Sequence, residues 1–113
     1  MKKIFIFGAG SIGNHLTNAS LKSGYEVYIT DKSEIALKRM KTKLFKKRYG
    51  YWSEKIKIVK NNDLKKFYKT KFDLVIIGTP PKSHIKLYEF CKKNMNYKKI
   101  LIEKPLCVYN EDF

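Results

Sequence analysis

Hydrophobic positions alternate between two periods along this chain. Lys3 to Phe7 is a short run of β-branched and aromatic residues ending at Gly8, which predicts a buried strand. From Ser11 to Lys22, Ile12, Leu16, Ala19 and Leu21 recur at helical spacing and are the expected core face, with Gly24 as the stop. Tyr25 to Thr30 reads as a second strand closed by Asp31. Ser33 can cap a helix running to about Arg48, whose apolar face (Ile35, Leu37, Met40, Leu44, Phe45) is ragged; Tyr49-Gly50-Tyr51-Trp52-Ser53 breaks it. Lys55 to Val59 alternates as a third strand, and lysines at its polar positions suit an edge. Asn61-Asn62-Asp63 caps a short helix to about Tyr68. Phe72 to Ile77 is the most apolar run, a central strand. Pro81 to about Asn94 is helical, and Lys99 to Ile102 is the last strand.

Strand and helix therefore alternate from end to end, and the strands are nearly continuous in apolar residues. That combination predicts an α/β fold, a doubly wound parallel sheet with helices on both faces and right-handed crossovers. The expected strand order is 3-2-1-4-5, with a ligand crevice at the carboxyl edge between the first and fourth strands.

Composition narrows the class. The 113 residues allow a single domain. A hydrophobic share of 43% with 14% aromatics is too apolar for a disordered chain. Lys plus Arg number 25 against 10 Asp plus Glu, a formal charge of +15. The basic residues are spread along the whole chain, which favours a solvated surface over a nucleic-acid footprint. Cys91 and Cys107 stand at no metal-like spacing and suit free thiols in a reducing compartment. Met1-Lys2-Lys3 and the apolar run after it have the start of a signal peptide, but Gly8, Gly10 and Gly13 interrupt the run and no cleavage pattern follows. No apolar run approaches the roughly 18 residues of a membrane span. The expected location is the cytoplasm.

The chemistry begins at Gly8-Ala9-Gly10-Ser11-Ile12-Gly13, a G-x-G-x-x-G that leaves one strand and opens a helix. Gly8 permits the tight turn, Gly10 lets backbone approach a pyrophosphate, and Gly13 lets the helix pack close to the strand. Amide groups of Ser11, Ile12 and Gly13 at the helix start favour an anion. Asp31 follows at roughly the 20-residue spacing of the dinucleotide fingerprint, where a carboxylate accepts ribose hydroxyls. An ionised Asp31 repels a 2′-phosphate and favours NAD; Lys32 and Ser33 beside it leave NADP open. Together these features predict a Rossmann-type dinucleotide-binding domain over 1–113.

Two further segments leave the sheet on the same edge. Gly78-Thr79-Pro80-Pro81-Lys82-Ser83-His84 exits the fourth strand, with Pro81 suited to a first helical position and His84 in that helix's first turn. Glu103-Lys104-Pro105 exits the fifth. A lysine there can donate to a nicotinamide ribose or a substrate hydroxyl and help a proton leave as hydride moves to the cofactor.

The glycine loop, Asp31, the Thr79-to-His84 segment and Glu103-Lys104-Pro105-Leu106 together resemble the Gfo/Idh/MocA oxidoreductases, over nearly the whole chain. The resemblance implies that Lys104 is the catalytic lysine, that Glu103 positions it and the nicotinamide, and that Thr79, Pro80 and His84 line the cofactor crevice. It implies a sugar, inositol or nucleotide-sugar substrate. It also implies a second, substrate-holding domain after about 106–113, and oligomers built through that domain; without it, cofactor binding without turnover is the expectation for this chain. Two readings from other classes compete. A stand-alone nucleotide-sensing module shares the glycine loop and the acid but would not be expected to carry Glu103-Lys104-Pro105. A nucleic-acid binder would use Lys38 to Arg48 with Tyr49, Tyr51 and Trp52 as stacking surfaces, but those basic residues go round the helix rather than forming a stripe.

Overall fold

In the computed structural model, which describes residues 2–103, a five-stranded parallel sheet runs in the order β3-β2-β1-β4-β5. The strands are β1 (Lys3–Phe7), β2 (Glu26–Thr30), β3 (Ile56–Ile58), β4 (Lys71–Ile77) and β5 (Asn96–Ile102). The doubly wound fold read from the periodicity is the observed one. The helices are α1 (Ser11–Lys22), α2 (Glu34–Arg39), α3 (Phe45–Tyr49) and α4 (His84–Asn94). Lys104, Pro105, Leu106, Cys107 and the connection expected over 106–113 lie outside the described residues.

Two apolar layers sandwich the sheet because side chains alternate across each strand. Ile4, Ile6, Val27 and Ile29 face one side with Leu37, Met40 and Phe45. Phe5, Phe7, Tyr28, Phe72, Val75 and Ile77 face the other, with Cys91 and Met95. In the second layer Phe72 meets Phe5 edge-on at 5.2 Å and Tyr28 at 5.3 Å, and each buried ring contributes about 1.5–3 kcal/mol. Burial also pushes the Cys91 thiol up to about 12, so it is a core residue rather than a nucleophile.

Three local outcomes differ from the periodicity reading. On α1 the expected apolar face holds in part: Leu16 and Leu21 are half-buried against the core, but Ile12 is 50% exposed and Ala19 is exposed, while Gly13, Asn14, Thr17, Asn18 and Ser20 are buried. At Gly13 the helix lies too close to the Gly8 carbonyl for any side chain, and small and polar residues share the buried side with the two leucines. Thr17 Oγ1 donates to the Gly13 carbonyl at 2.8 Å and Tyr51 Oη donates to Asn18 Oδ1 at 2.7 Å, while the buried Asn14 Oδ1 has no partner among the described residues. Between α2 and α3 the helix widens into a π-turn, Met40–Leu44. One extra residue per turn carries burial from Leu37 and Met40 to Phe45, leaving Leu44 half-buried, which is why the stripe looked ragged. The short helix after β3, Asn61–Phe67, winds as a tighter 3₁₀ helix, and β5 starts at Asn96 rather than Lys99.

Helix ends follow their capping residues. Ser33 Oγ accepts the Ala36 amide at 3.1 Å, and Gly50 closes α3 with a φ of 81°. A single turn of 3₁₀ helix, Pro81–Ser83, leads into α4.

Candidate functional site

The carboxyl edge of β1 carries the glycine turn. Gly8 adopts a φ of 114°, and its amide donates to the Thr30 carbonyl at 2.7 Å. A Cβ at Gly8 would lie 2.8 Å from the Gly78 carbonyl oxygen, and one at Gly13 only 1.8 Å from the Gly8 carbonyl oxygen. Both glycines are demanded by packing. Gly10 is different: its φ is −81°, open to any residue, and a Cβ there would meet nothing within 4 Å. No internal contact explains the missing side chain at Gly10. Space has been left in front of the first turn of α1.

That turn has no side-chain cap and no acidic residue. Asn14 is the first residue whose amide finds an intrahelical carbonyl, that of Gly10 at 3.0 Å, so the amides of Ser11, Ile12 and Gly13 precede the helical ladder. Asn14 Nδ2 donates to the Ala9 and Gly10 carbonyls at 3.0 and 2.7 Å, holding the turn from behind.

Asp31 ends β2 beside this turn. Its Oδ2 accepts the Ala9 amide at 2.8 Å and its Oδ1 the Ser33 amide at 2.8 Å. The carboxylate is thereby fixed in orientation, with lone pairs to spare for further donors. Asn61 Nδ2 reaches the Asp31 carbonyl at 3.1 Å and the Lys32 carbonyl at 3.4 Å, clamping the segment from the far side. Sequence reasoning took Asn61 only for a helix cap.

A cleft of about 330 Å³ opens between Asp31 and the segment leaving β4. Phe7, Leu64, Leu87 and Phe90 give it apolar walls; Asp31, Lys32, Thr79, Pro80 and Ser83 edge it. Thr30, 2% exposed, also lines it, and its Oγ1 has no hydrogen-bond partner among the described residues. Such a hydroxyl costs about 1–3 kcal/mol unless something in the cleft meets it. Thr79 Oγ1 and Ser83 Oγ share a hydrogen bond, and Ser83 Oγ donates to the Pro80 carbonyl at 2.8 Å, so the wall is braced.

The predicted site residues that are described thus fall along one edge, with two in special positions. His84 is 1% exposed and turns inward, its Nε2 2.6 Å from the Thr79 carbonyl oxygen, where it holds the exit segment of β4. Glu103 follows β5 and ties to the neighbouring strand through its amide, which donates to the Ile77 carbonyl at 3.0 Å. Lys104 lies outside the described residues. A contact with no sequence signal joins the turn from another direction: Arg48 Nη1 donates to Ser11 Oγ at 2.7 Å. The aromatics of the competing nucleic-acid reading are absorbed in packing, Tyr49, Tyr51 and Trp52 surrounding Phe45 at 4.9, 5.3 and 5.6 Å.

A glycine turn with room for a diphosphate, an acid fixed at the end of β2 and an apolar cleft at the switch point define an NAD(P)-binding Rossmann domain of the oxidoreductase class. Residues 3–104 match the family model described as NADP oxidoreductase coenzyme F420-dependent, and the chain belongs to that family. This is a different family from the one the four motifs resemble. The fold is similar to that of the 3-hydroxyacyl-CoA dehydrogenase from Archaeoglobus fulgidus (TM-score 0.67, 21% identity, 89% of this chain and 33% of that one). It is also similar to malate dehydrogenase from Picrophilus torridus (0.62, 17%, 92% and 38%) and to the yeast methylglyoxal/isovaleraldehyde reductase complexed with NADPH (0.64, 17%, 88% and 37%). The chain therefore spans less than half the length of these three structures. No curated protein sequence matches it. No helix among the described residues is long and apolar enough to cross a membrane.

Proposed function

We propose that this chain is the cofactor-holding domain of an NAD(P)-dependent oxidoreductase, a larger protein whose substrate is held by residues beyond it. Gly10 carries the reading. It is the one glycine of the turn that neither backbone conformation nor packing requires, and it immediately precedes the unladdered amides of α1. A pyrophosphate there accepts those amides and meets the positive end of the helix. Asp31 receives the adenosine ribose, and the apolar cleft with the Thr30 hydroxyl takes the base. NAD is the preferred form because the Asp31 carboxylate opposes a 2′-phosphate; Lys32 and Ser33 soften that preference.

When bound, the dinucleotide supplies hydride exchange. The chain's own residues orient it: Thr79 and Pro80 bound the crevice, His84 holds their backbone, and Glu103 stands at the edge where the nicotinamide half would lie, with Lys104 as the proton-handling group. The family description supports coenzyme F420 as the redox partner. The Glu103-Lys104-Pro105 motif supports a second reading, a sugar-like hydroxyl substrate. Assay of the complete parent protein with reduced coenzyme F420 and with a panel of sugars and inositols separates the two.

Calorimetry on this chain tests the core of the reading. NADH or NADPH binding should saturate, be abolished in Gly10→Val, and weaken in Asp31→Ala. Gly10→Val should remain folded, losing about 1 kcal/mol as a poorer N-cap of α1, because the space is open. Unchanged binding in Gly10→Val would falsify the assignment.

A further inference from the structure

Arg48 stands where its charge is unfavourable. It sits in the last turn of α3, yet its guanidinium reaches the first residue of α1, donating from Nη1 to Ser11 Oγ at 2.7 Å. The amino end of a helix carries partial positive charge, and a cation beside it is destabilising. No carboxylate offsets it: the first turn of α1 holds no acidic residue, and the ion pairs among the described residues are Lys66–Asp63 and Lys98–Asp73. An anion in front of the turn would be attracted by both the guanidinium and the helix end.

The π-turn explains how Arg48 comes to be there. In an unbroken α-helix Arg48 would follow Leu37 by about three turns and share its core-facing stripe. The extra residue in Met40–Leu44 turns everything after it by about 100°, which brings Phe45 into the core and swings Arg48 to the flank facing α1. Ser11 Oγ uses one of the five guanidinium donors, and the planar fork of the rest suits two oxygens of a phosphate.

Resting on the dinucleotide reading of the glycine turn, we propose that Arg48 is a pyrophosphate-binding residue of this site, delivered by the π-turn and aimed by Ser11. It supplies the charge that the amides of α1 lack, and it acts on the part that NAD and NADP share. Lys47, its exposed neighbour, has no part in the contact and serves as a control of equal charge.

The test is calorimetry of ADP-ribose, NADH and NADPH on the wild-type chain, Arg48→Ala, Arg48→Lys and Lys47→Ala, at one fixed ionic strength. Arg48→Ala should weaken all three ligands by roughly tenfold, the size of a charge-assisted hydrogen bond. Arg48→Lys should recover only part of the loss, and Lys47→Ala should stay within about twofold of wild type. Thermal melting of Arg48→Ala should match or exceed wild type, since a like-charge contact is removed. A loss in Arg48→Ala no larger than in Lys47→Ala overturns the proposal, as does a loss confined to NADPH, which would put the guanidinium on the 2′-phosphate. A wild-type chain that binds none of the three defeats the dinucleotide reading itself; wild-type binding that Gly10→Val abolishes and Arg48→Ala spares defeats only the role of Arg48.

Discussion

A methyl group at Gly13 would come within 1.8 Å of the Gly8 carbonyl oxygen, while one at Gly10 would touch nothing. The same residue type therefore answers to two causes within one turn. Gly13 is a packing glycine: it lets α1 descend onto the end of β1, and backbone rather than a mobile side chain fills the space. Gly10 is a binding glycine. Gly13→Ala is expected to cost about 3 kcal/mol or more, because the helix must lift away from the strand, and Gly10→Ala should cost only about 1 kcal/mol, as a poorer N-cap. Urea titration of the two variants checks this contrast. Equal destabilisation by both would contradict it. The division of roles among the three glycines is legible in their spacing, and the distances at Gly8, Gly10 and Gly13 agree with it.

The helices show where a periodic reading loses its grip. A stripe of large apolar residues is the signature of a helix packed at ordinary distance from a sheet. On α1 that distance is shortened at the glycine turn, so the fully buried positions are Gly13, Asn14, Thr17, Asn18 and Ser20, Leu16 and Leu21 pack half-buried beside them, and Ile12 is left half in solvent. Between α2 and α3 the stripe is real but shifted by the π-turn, as the step from Met40 to Phe45 shows. Deleting Lys43 should convert that turn to regular α-helix while keeping Leu37, Met40 and Phe45 on one side. Its melting temperature is expected to match or exceed wild type by circular dichroism. Phe45→Ala, which empties the same site, should cost about 3–5 kcal/mol. A Lys43 deletion as damaging as Phe45→Ala would mean that the widened turn is itself needed for stability.

Across the whole sheet, one carboxylate joins three strands. Asp73, on β4, accepts the Lys3 amide of β1 through Oδ2 at 2.8 Å and pairs with Lys98 of β5 through Oδ1 at 3.4 Å. The Lys3 amide bond, followed by the Lys98 and Lys2 charges, holds this carboxyl below its usual range against a smaller desolvation effect. A lowered folded pKa means stabilisation that is complete above the unfolded carboxylate value of about 4 and fades as pH falls through the folded value. Asp73→Asn should accordingly be less stable than wild type at pH 7, and the gap should narrow below about pH 4. A gap that stayed constant from neutral to acid pH, in denaturant melts, would remove Asp73 from the linkage. At this scale the net charge of +15 also finds a use, because a cationic surface draws an anionic dinucleotide toward the cleft.

Alternating periods of apolar residues were enough to read from sequence alone the parallel order 3-2-1-4-5, and a glycine turn after the first strand with an acid after the second marked the edge for which a ligand is proposed. These are local regularities, and local regularities survive in one dimension. What tertiary structure decided is contact between residues far apart in the chain: the Ala9 amide on Asp31, Asn61 clamping Lys32, and Arg48 brought to Ser11. Such pairings depend on crossing distances and on helix phase, which one extra residue in a turn rotates by about 100°. No spacing rule records that rotation until the chain has folded.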